Sequence, residues 1–461
     1  MTKLSNITAG MSLALALSLS TAAVAQTVVD DAALAQARSA AMEDRVALDF
    51  VEDLTTEVGQ RQAGTEAEAR ARTWAVARLR SMGFANVRSE DFQMPTWVRG
   101  EERAELIAPY PHRLAITALG NSGATPAAGL TGEVVGFANL AAFDAAPDSA
   151  VRGKIVYIGH AMRPTQDGSS YGAFGPVRFV GPDRAARRGV AALVIRSVGT
   201  DSHRNPHAGN TNFGDGVTPI PAGAISNPDA DNLERVLERA QGPVRMHLTL
   251  TPRNLGQQTS GNVIGEIVGS DPSAPMVIVA CHLDSWDLGT GAIDDAAGCG
   301  IIAAAAKRVA EMGQPRRTIR VLFAGAEEVG VHGGNAYFEA HGSERHFAAI
   351  ESDFGADRVW RVEFRLPEAQ ASLVDRIAAA LAPIGIGRGS DPASGGADIG
   401  PLVRAGVSVI DLQQDGSDYF NLHHTPDDTF DKIKPEAIAQ NVAAWTVTLA
   451  LLANSSDVVQ P

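Results

Sequence analysis

Residues Pro275–Met312 read PMVIVACHLDSWDLGTGAIDDAAGCGIIAAAAKRVAEM, and the texture of the chain changes twice within them. Met276–Ala280 is a short apolar run rich in β-branched residues, the pattern of a strand buried on both faces. The stretch ends in an Ala-rich helix whose expected N-cap is Asp294 or Asp295. Between strand and helix lies a loop carrying His282, Asp284, Asp287, Asp294 and Asp295. Loops at the C-terminal ends of parallel strands, facing helix N-termini, are where α/β sheets bind their ligands. One imidazole among several carboxylates is a donor set suited to zinc and similar divalent ions.

Outward from this stretch, the chain has 461 residues, enough for one large domain and a smaller one. Apolar residues make up 45% and charged residues 20%, which fits a soluble globular protein. Residues 1–25 read as a cleaved export signal: Lys3 is the positive end, Met11 to Ala23 the apolar run, and Ala23-Val24-Ala25 the cleavage site. The apolar run is too short and Ser-rich for a membrane span, so no stable anchor is expected after cleavage, in the periplasm or outside the cell. A formal charge of −14 disfavours nucleic acid and anionic lipid and suits cations. Two cysteines, Cys281 and Cys299, are too few for a disulfide scaffold. Export permits a bridge between them, but both flank elements expected to be buried, and two buried thiols are the expectation.

After the signal, Asp30–Val58 and Glu66–Met82 have helical periodicity, with Gly83 placed to end the second. Alternating strand-like sequence then runs from Asn86 and continues through Glu101–Leu106. From Pro111 short β-like runs separated by Gly, Pro and Asn predominate (Glu133–Gly136, Lys154–Ile158, Ala191–Ile195, Val244–Leu250). Single helices near Asp183–Arg188 and Asp229–Arg239 interrupt them, and the basic run Arg184–Arg188 reads as a solvated helix face. From Asn262 long apolar strands alternate with Ala-rich helices: Met276–Ala280, Thr318–Ala324, Phe347–Ser352 and Val407–Leu412. The expected architecture is therefore α/β, a mixed but mainly parallel sheet covered by helices on both faces. Residues 26–110 form its N-terminal part, 111–252 a β-rich insert, and 253–461 its main part.

Four strand ends deliver acidic or imidazole groups: His282 and Asp284 with Asp294 and Asp295; Glu327 and Glu328; Asp353; and His423-His424-Thr425-Pro426-Asp427-Asp428. Each alone is a weak signal, but in a parallel sheet the four loops lie side by side. A two-metal hydrolytic site needs a carboxylate shared by the ions, further ligands on each, and a separate base. His282 with Asp353 and Glu328 with His424 give each ion one imidazole and one carboxylate, and Asp294 bridges. Glu327 stays free as general base. Asp284 is placed to fix the tautomer of His282.

The motifs HLDS, GAIDDAAG, AGAEEVG, ESD and HHTPDDT resemble the co-catalytic zinc exopeptidases, the family of bacterial leucyl aminopeptidases and glutamate carboxypeptidases. SWDLGTGAIDD, RAARRGVAALVIRSV, a His-Gly-Asn loop and VTPIPAGAIS are similar to its carboxypeptidase Q branch. The resemblance implies two zinc ions per subunit on His282, Asp294, Glu328, Asp353 and His424, with Glu327 as base. It implies a cis peptide after Asp294, a protease-associated domain in the insert walling the active site, and a possible homodimer. Some relatives have a tyrosine where His423 stands, donating to the oxyanion; His423 either does this or packs. The HTPDD context alone selects His424 over His423 as the ligand. Tyr419 is placed to line the pocket, and Asp398 lies near the site in relatives.

The implied activity is that of an exported exopeptidase hydrolysing dipeptides or short peptides with a free N-terminus through a metal-bridged hydroxide. Two alternatives stand beside it. One is a glutaminyl-cyclase-like acyl transferase with a single zinc; the other is a non-catalytic, receptor-like member of the fold.

Overall fold

The strand expected over Met276–Ala280 runs on to His282 and forms the middle of an eight-stranded sheet. The computed structural model describes residues 29–457, and the expected export signal at residues 1–25 lies outside them. The strands follow the order Ala85–Val98, Arg253–Ile267, Ile319–Ala324, Met276–His282, His346–Glu351, Val409–Gln414, Val359–Arg365 and Gly387–Arg388. The run from Ile319–Ala324 to Val409–Gln414 is parallel throughout, and antiparallel neighbours flank it. The C-terminal ends of these parallel strands consequently share one edge of the sheet.

Both faces of the sheet are covered, as the unbroken apolar runs require. Val277, Val279 and Cys281 face one core, shared with the helices Val46–Glu57, Ala297–Glu311 and Pro435–Asn454. Ile278 and Ala280 face another, closed by Tyr337, Ile399 and Leu402. Ala303–Ala306 are all buried, and their small side chains let the flanking helices approach closely. Pro435–Asn454 is long and apolar enough to cross a membrane, but it is a buried core helix here.

The helix after the loop begins at Ala297, behind a short π-turn over Ala292–Ala296. Of the two expected caps, Asp295 supplies the acceptor: Oδ1 takes the Gly298 N–H at 3.0 Å, and Oδ2 takes the His282 N–H at 3.2 Å. The Asp294–Asp295 peptide is cis. Gly298 must be glycine, since a Cβ there would lie 2.1 Å from the Ser352 carbonyl oxygen.

Three expectations are corrected. Cys281 and Cys299 are buried but joined as a disulfide rather than free, because Cys281 lies on the strand face that the first turn of the Ala297–Glu311 helix covers, with 5.2 Å between their Cα atoms. The expected helix over Asp30–Val58 is two, Asp31–Met42 and Val46–Glu57, and Asp44 accepts the Val46 N–H at the start of the second. Strand Glu102–Ala108, expected within the N-terminal part, instead pairs with Arg245–Leu250 in a second sheet. That sheet has the order His112–Leu114, Glu102–Ala108, Arg245–Leu250, Leu130–Phe137, Ile155–Ile158, Ala192–Arg196, Ala222–Ile225 and Ile116–Ala118. The chain therefore leaves the first sheet after Val98 and returns before Arg253.

At the crossing, Arg99 ties the two sheets together. Its guanidinium binds Asp287 of the site loop at 2.9 Å and Glu102, Thr117 and the Ala118 carbonyl of the second sheet. Asp287 is thus engaged away from the other acids of its loop. A second arginine, Arg61, is fully buried and donates to the carbonyls of Leu283, Thr290 and Gly291, which closes the His282–Asp294 loop on itself. Replacing Arg61 with methionine would leave those carbonyls unpaired, at about 1–3 kcal/mol each. Urea unfolding of Arg61→Met is expected to show a loss above about 3 kcal/mol; a loss near zero would contradict this role.

Candidate metal centre

The site begins with His282, the last residue of its strand. Its Nδ1–H donates to the Asp284 carbonyl oxygen at 3.0 Å. The other nitrogen, Nε2, points into the edge of the sheet, 2.9 Å from Asp294 Oδ1 and 3.4 Å from Asp353 Oδ1. His424 is arranged in the same way. Nδ1 lies 3.2 Å from the Ala208 carbonyl oxygen, and Nε2 lies 2.9 Å from Glu328 Oε2 and 3.3 Å from Asp294 Oδ2. In each case Nδ1 is committed to a carbonyl and Nε2 alone faces the carboxylates: protonated it donates to them, and neutral it offers a lone pair to a cation held among them.

The two imidazoles are too few donors for the carboxylate oxygens gathered here, and a cation would satisfy the remainder. Two buried oxygens here, Asp294 Oδ2 and Glu328 Oε1, have no hydrogen-bond partner. Asp294 belongs to two overlapping donor groups, one with His282 and Asp353, the other with His423 and His424. Imidazole nitrogen and carboxylate oxygen at this density fit divalent zinc.

The protonation equilibria report the same crowding. Burial would favour a neutral Asp294, but the hydrogen bond from His282 and the nearby His424 ring hold its carboxyl well below the ordinary range. Burial disfavours a charged His424, yet Glu328 and Asp294 raise it to about 9. Burial also opposes a charged His282, and Asp353 and Asp294 raise it well above the ordinary value.

Glu327 lies outside both groups, half-buried on the cavity wall. Burial pushes its carboxyl well above the carboxylate range, with Asp353, Asp398 and Glu328 adding repulsion against the attraction of His282. Its N–H donates to Asp284 Oδ1 at 3.0 Å. Asp284 therefore meets His282 mainly through its backbone carbonyl, with its carboxylate 3.8 Å from Nδ1, and uses that carboxylate to hold the turn carrying Glu327.

The His423 ring stacks on His424 with centroids 3.5 Å apart, and its Nε2 is 3.8 Å from Asp294 Oδ2. Burial, reinforced by His424, keeps it well below the usual imidazole value and so neutral. Tyr419 packs between Phe354 and His423 and lines the cavity. Asp398 is buried with both oxygens unpartnered, close enough to Glu351 and Asp353 for their repulsion to raise it further above the value set by burial. Asp427 and Asp428 bind Asn205 Nδ2 at 2.9 Å and the Ile293 N–H at 2.7 Å. Arg184, Arg187 and Arg188 pair with Asp144, Asp183 and Asp148.

A cavity of about 590 Å³ opens over these groups. The first sheet's loops form its floor, and Tyr171, Arg178, Phe179 and Asn210 from the segment bearing the second sheet form a wall. Sequence reading missed Arg61 and the segment from Thr200 to Ala208 that touches His423 and His424. Neither has a periodic pattern, and their partners are mostly backbone atoms.

Peptidase family M28 matches residues 262–449. Carboxypeptidase Q of Mus musculus is 30% identical over 411 residues, covering 88% of this chain and 85% of that protein. The crystal structure of a peptidase M28 precursor from Shewanella amazonensis is 42% identical, with a TM-score of 0.91 over 94% of this chain and 98% of that one. The zinc aminopeptidase BSAP of Bacillus subtilis, 21% identical, shares the fold, with a TM-score of 0.62 over 88% of this chain and 94% of that one. The chain belongs to peptidase family M28, the co-catalytic zinc exopeptidases, and is a metallopeptidase. Carboxypeptidase Q is the branch it resembles.

The raised value of His424 gives a pH signature for protein stripped of metal. Below pH 6.5 the ring is protonated folded or unfolded, and its interaction with Glu328 and Asp294 contributes fully. Between pH 6.5 and about 9 the folded state alone keeps the proton, so stability falls as pH rises. Chelator-treated protein is expected to lose melting temperature across that window, and His424→Gln to lose less. Equal slopes in the two proteins would contradict the assignment.

Proposed function

We propose that the protein is an exported di-zinc exopeptidase that hydrolyses dipeptides and short peptides carrying a free N-terminus. The observation that carries this reading is the position of Asp294, one oxygen toward His282 and the other toward His424, with Glu328 2.9 Å from His424 and Glu327 on the cavity wall paired with neither imidazole. His282 and Asp353 would hold one zinc ion, Glu328 and His424 the other, and Asp294 would touch both. Donor side chains on both sides of Asp294 disfavour the single-zinc acyl transferase, and an intact Glu327 disfavours a non-catalytic role.

Bound zinc would supply Lewis acidity, polarising the scissile carbonyl and lowering the pKa of water. Glu327 takes a proton from the attacking water and delivers it to the leaving amine. Burial raises its affinity for a proton above that of an ordinary carboxylate, which suits a group that must both accept and release one. In this reading His423 and Tyr419, which line the same cavity, donate to the oxyanion. Asp284 holds the Glu327 turn and the His282 ring in register.

Substrate size follows from the cavity, whose volume is that of a small-ligand site and one wall of which comes from the segment bearing the second sheet. In this reading the insert, residues 111–252, acts as a protease-associated domain. The Cys281–Cys299 disulfide agrees with export to an oxidising compartment, after removal of residues 1–25.

Glu327→Gln is expected to keep both zinc ions and lose roughly 10²–10⁴ in kcat; loss of zinc instead would contradict its role as base. Asp294→Ala is expected to lose zinc from both sites, measured by plasma emission spectrometry. For the substrate class, a dipeptide panel with free and acetylated N-termini would be read by mass spectrometry. Cleavage confined to free amines is the expected result, and cleavage of the acetylated set would overturn the substrate assignment.

A further inference from the structure

The segment from Thr200 to Ala208, after strand Ala192–Arg196 of the second sheet, lies along Phe420 to His424 and bonds to Phe420, Asn421, His423 and His424. Thr200 N–H donates to the Phe420 carbonyl at 3.0 Å, and its hydroxyl to Asn421 Oδ1 at 2.8 Å. His203 accepts the Asn205 N–H on Nδ1, which leaves its Nε2–H to donate to the Asn421 carbonyl at 2.8 Å. His207 Nδ1–H donates to the His423 carbonyl at 2.6 Å. Ala208 N–H donates to the His424 carbonyl at 2.9 Å, and the Ala208 carbonyl meets the His424 ring.

Within this series His207 is the rigid member. It is 1% exposed, and its Nε2 lies 2.5 Å from Asp201 Oδ2, which Asn227 Nδ2 also holds at 3.1 Å. Its own N–H donates to Ser197 Oγ at 2.9 Å. A planar ring with an acceptor at each nitrogen thus carries the position of the second sheet to the peptide between His423 and His424. That peptide needs a support: His424 has φ of 62°, a left-handed conformation costly for a residue with a Cβ.

We propose that His207, clamped by Asp201, is a positioning residue for His424, so that the second sheet builds one end of the metal centre besides walling the cavity. The proposal rests on the reading of His424 as a metal ligand. Groups that orient a ligand imidazole from outside the coordination sphere are worth about 10–100-fold in metal affinity.

The test uses the zinc-loaded full chain and follows zinc release to a colorimetric chelator, with total zinc by plasma emission spectrometry. His207→Asn keeps a donor where Nδ1 stands and so keeps the bond to the His423 carbonyl, whereas His207→Gln places its amide toward Asp201 and loses that bond. Both replacements are polar and similar in size, so a general packing effect would strike them alike. One zinc ion is expected to leave His207→Gln about 10–100-fold more readily, with release from His207→Asn close to the unmodified protein. Equal release from the two variants, whether fast or slow, would overturn the proposal. His424→Ala run alongside separates the premise: loss of one zinc upholds the ligand reading, and retention of both sinks that reading whatever the His207 pair shows.

Discussion

Asp294 meets His282 with one oxygen, at 2.9 Å, and His424 with the other, at 3.3 Å, and much of the molecule serves to bring these imidazoles to one buried carboxylate. His282 ends a strand at the centre of the sheet, while His424 arrives from a loop more than a hundred residues later. Only the parallel direction of the strands between Ile319–Ala324 and Val409–Gln414 puts both on the same edge. The turn carrying Asp294 is in turn held by Asp428 at Ile293, by Asp295 at Gly298 and by Arg61 at Gly291. A buried carboxylate approached by two imidazoles tolerates little displacement, because each contact depends on geometry in a medium that stabilises charge poorly.

The second sheet is joined to this arrangement by more than the two chain crossings. Arg99 spans from Asp287 of the site loop to Glu102 and Thr117, and the Thr200–Ala208 segment lies along the backbone of Phe420 to His424. Wall and floor of the cavity therefore share hydrogen bonds, and a shift of one sheet would be felt at the imidazole of His424. This explains why Asp287 and Asp427, acidic residues in the right loops, stand apart from the donor groups: they are engaged with Arg99 and Asn205.

Much of this was legible in the residues. The run at Met276–Ala280, the alternation of apolar strands with Ala-rich helices, and the acidic or imidazole groups after each strand end predict one populated sheet edge. Periodicity carries no information on other features. Alternation continues from Asn86 through Leu106, so nothing marks the change of sheet at Arg99. The Cys281–Cys299 bond depends on which strand face the following helix covers, which a burial pattern on both faces does not specify. Arg61 and His207 act on backbone carbonyls, and carbonyl partners leave no residue-type signature.

The most direct test of the account is a crystal structure of the zinc-loaded protein with anomalous differences collected above and below the zinc edge. The account predicts two peaks about 3.5–4 Å apart on either side of the Asp294 carboxylate, one against His282 and Asp353, the other against Glu328 and His424. A single peak, or a second one away from Asp294, would contradict it.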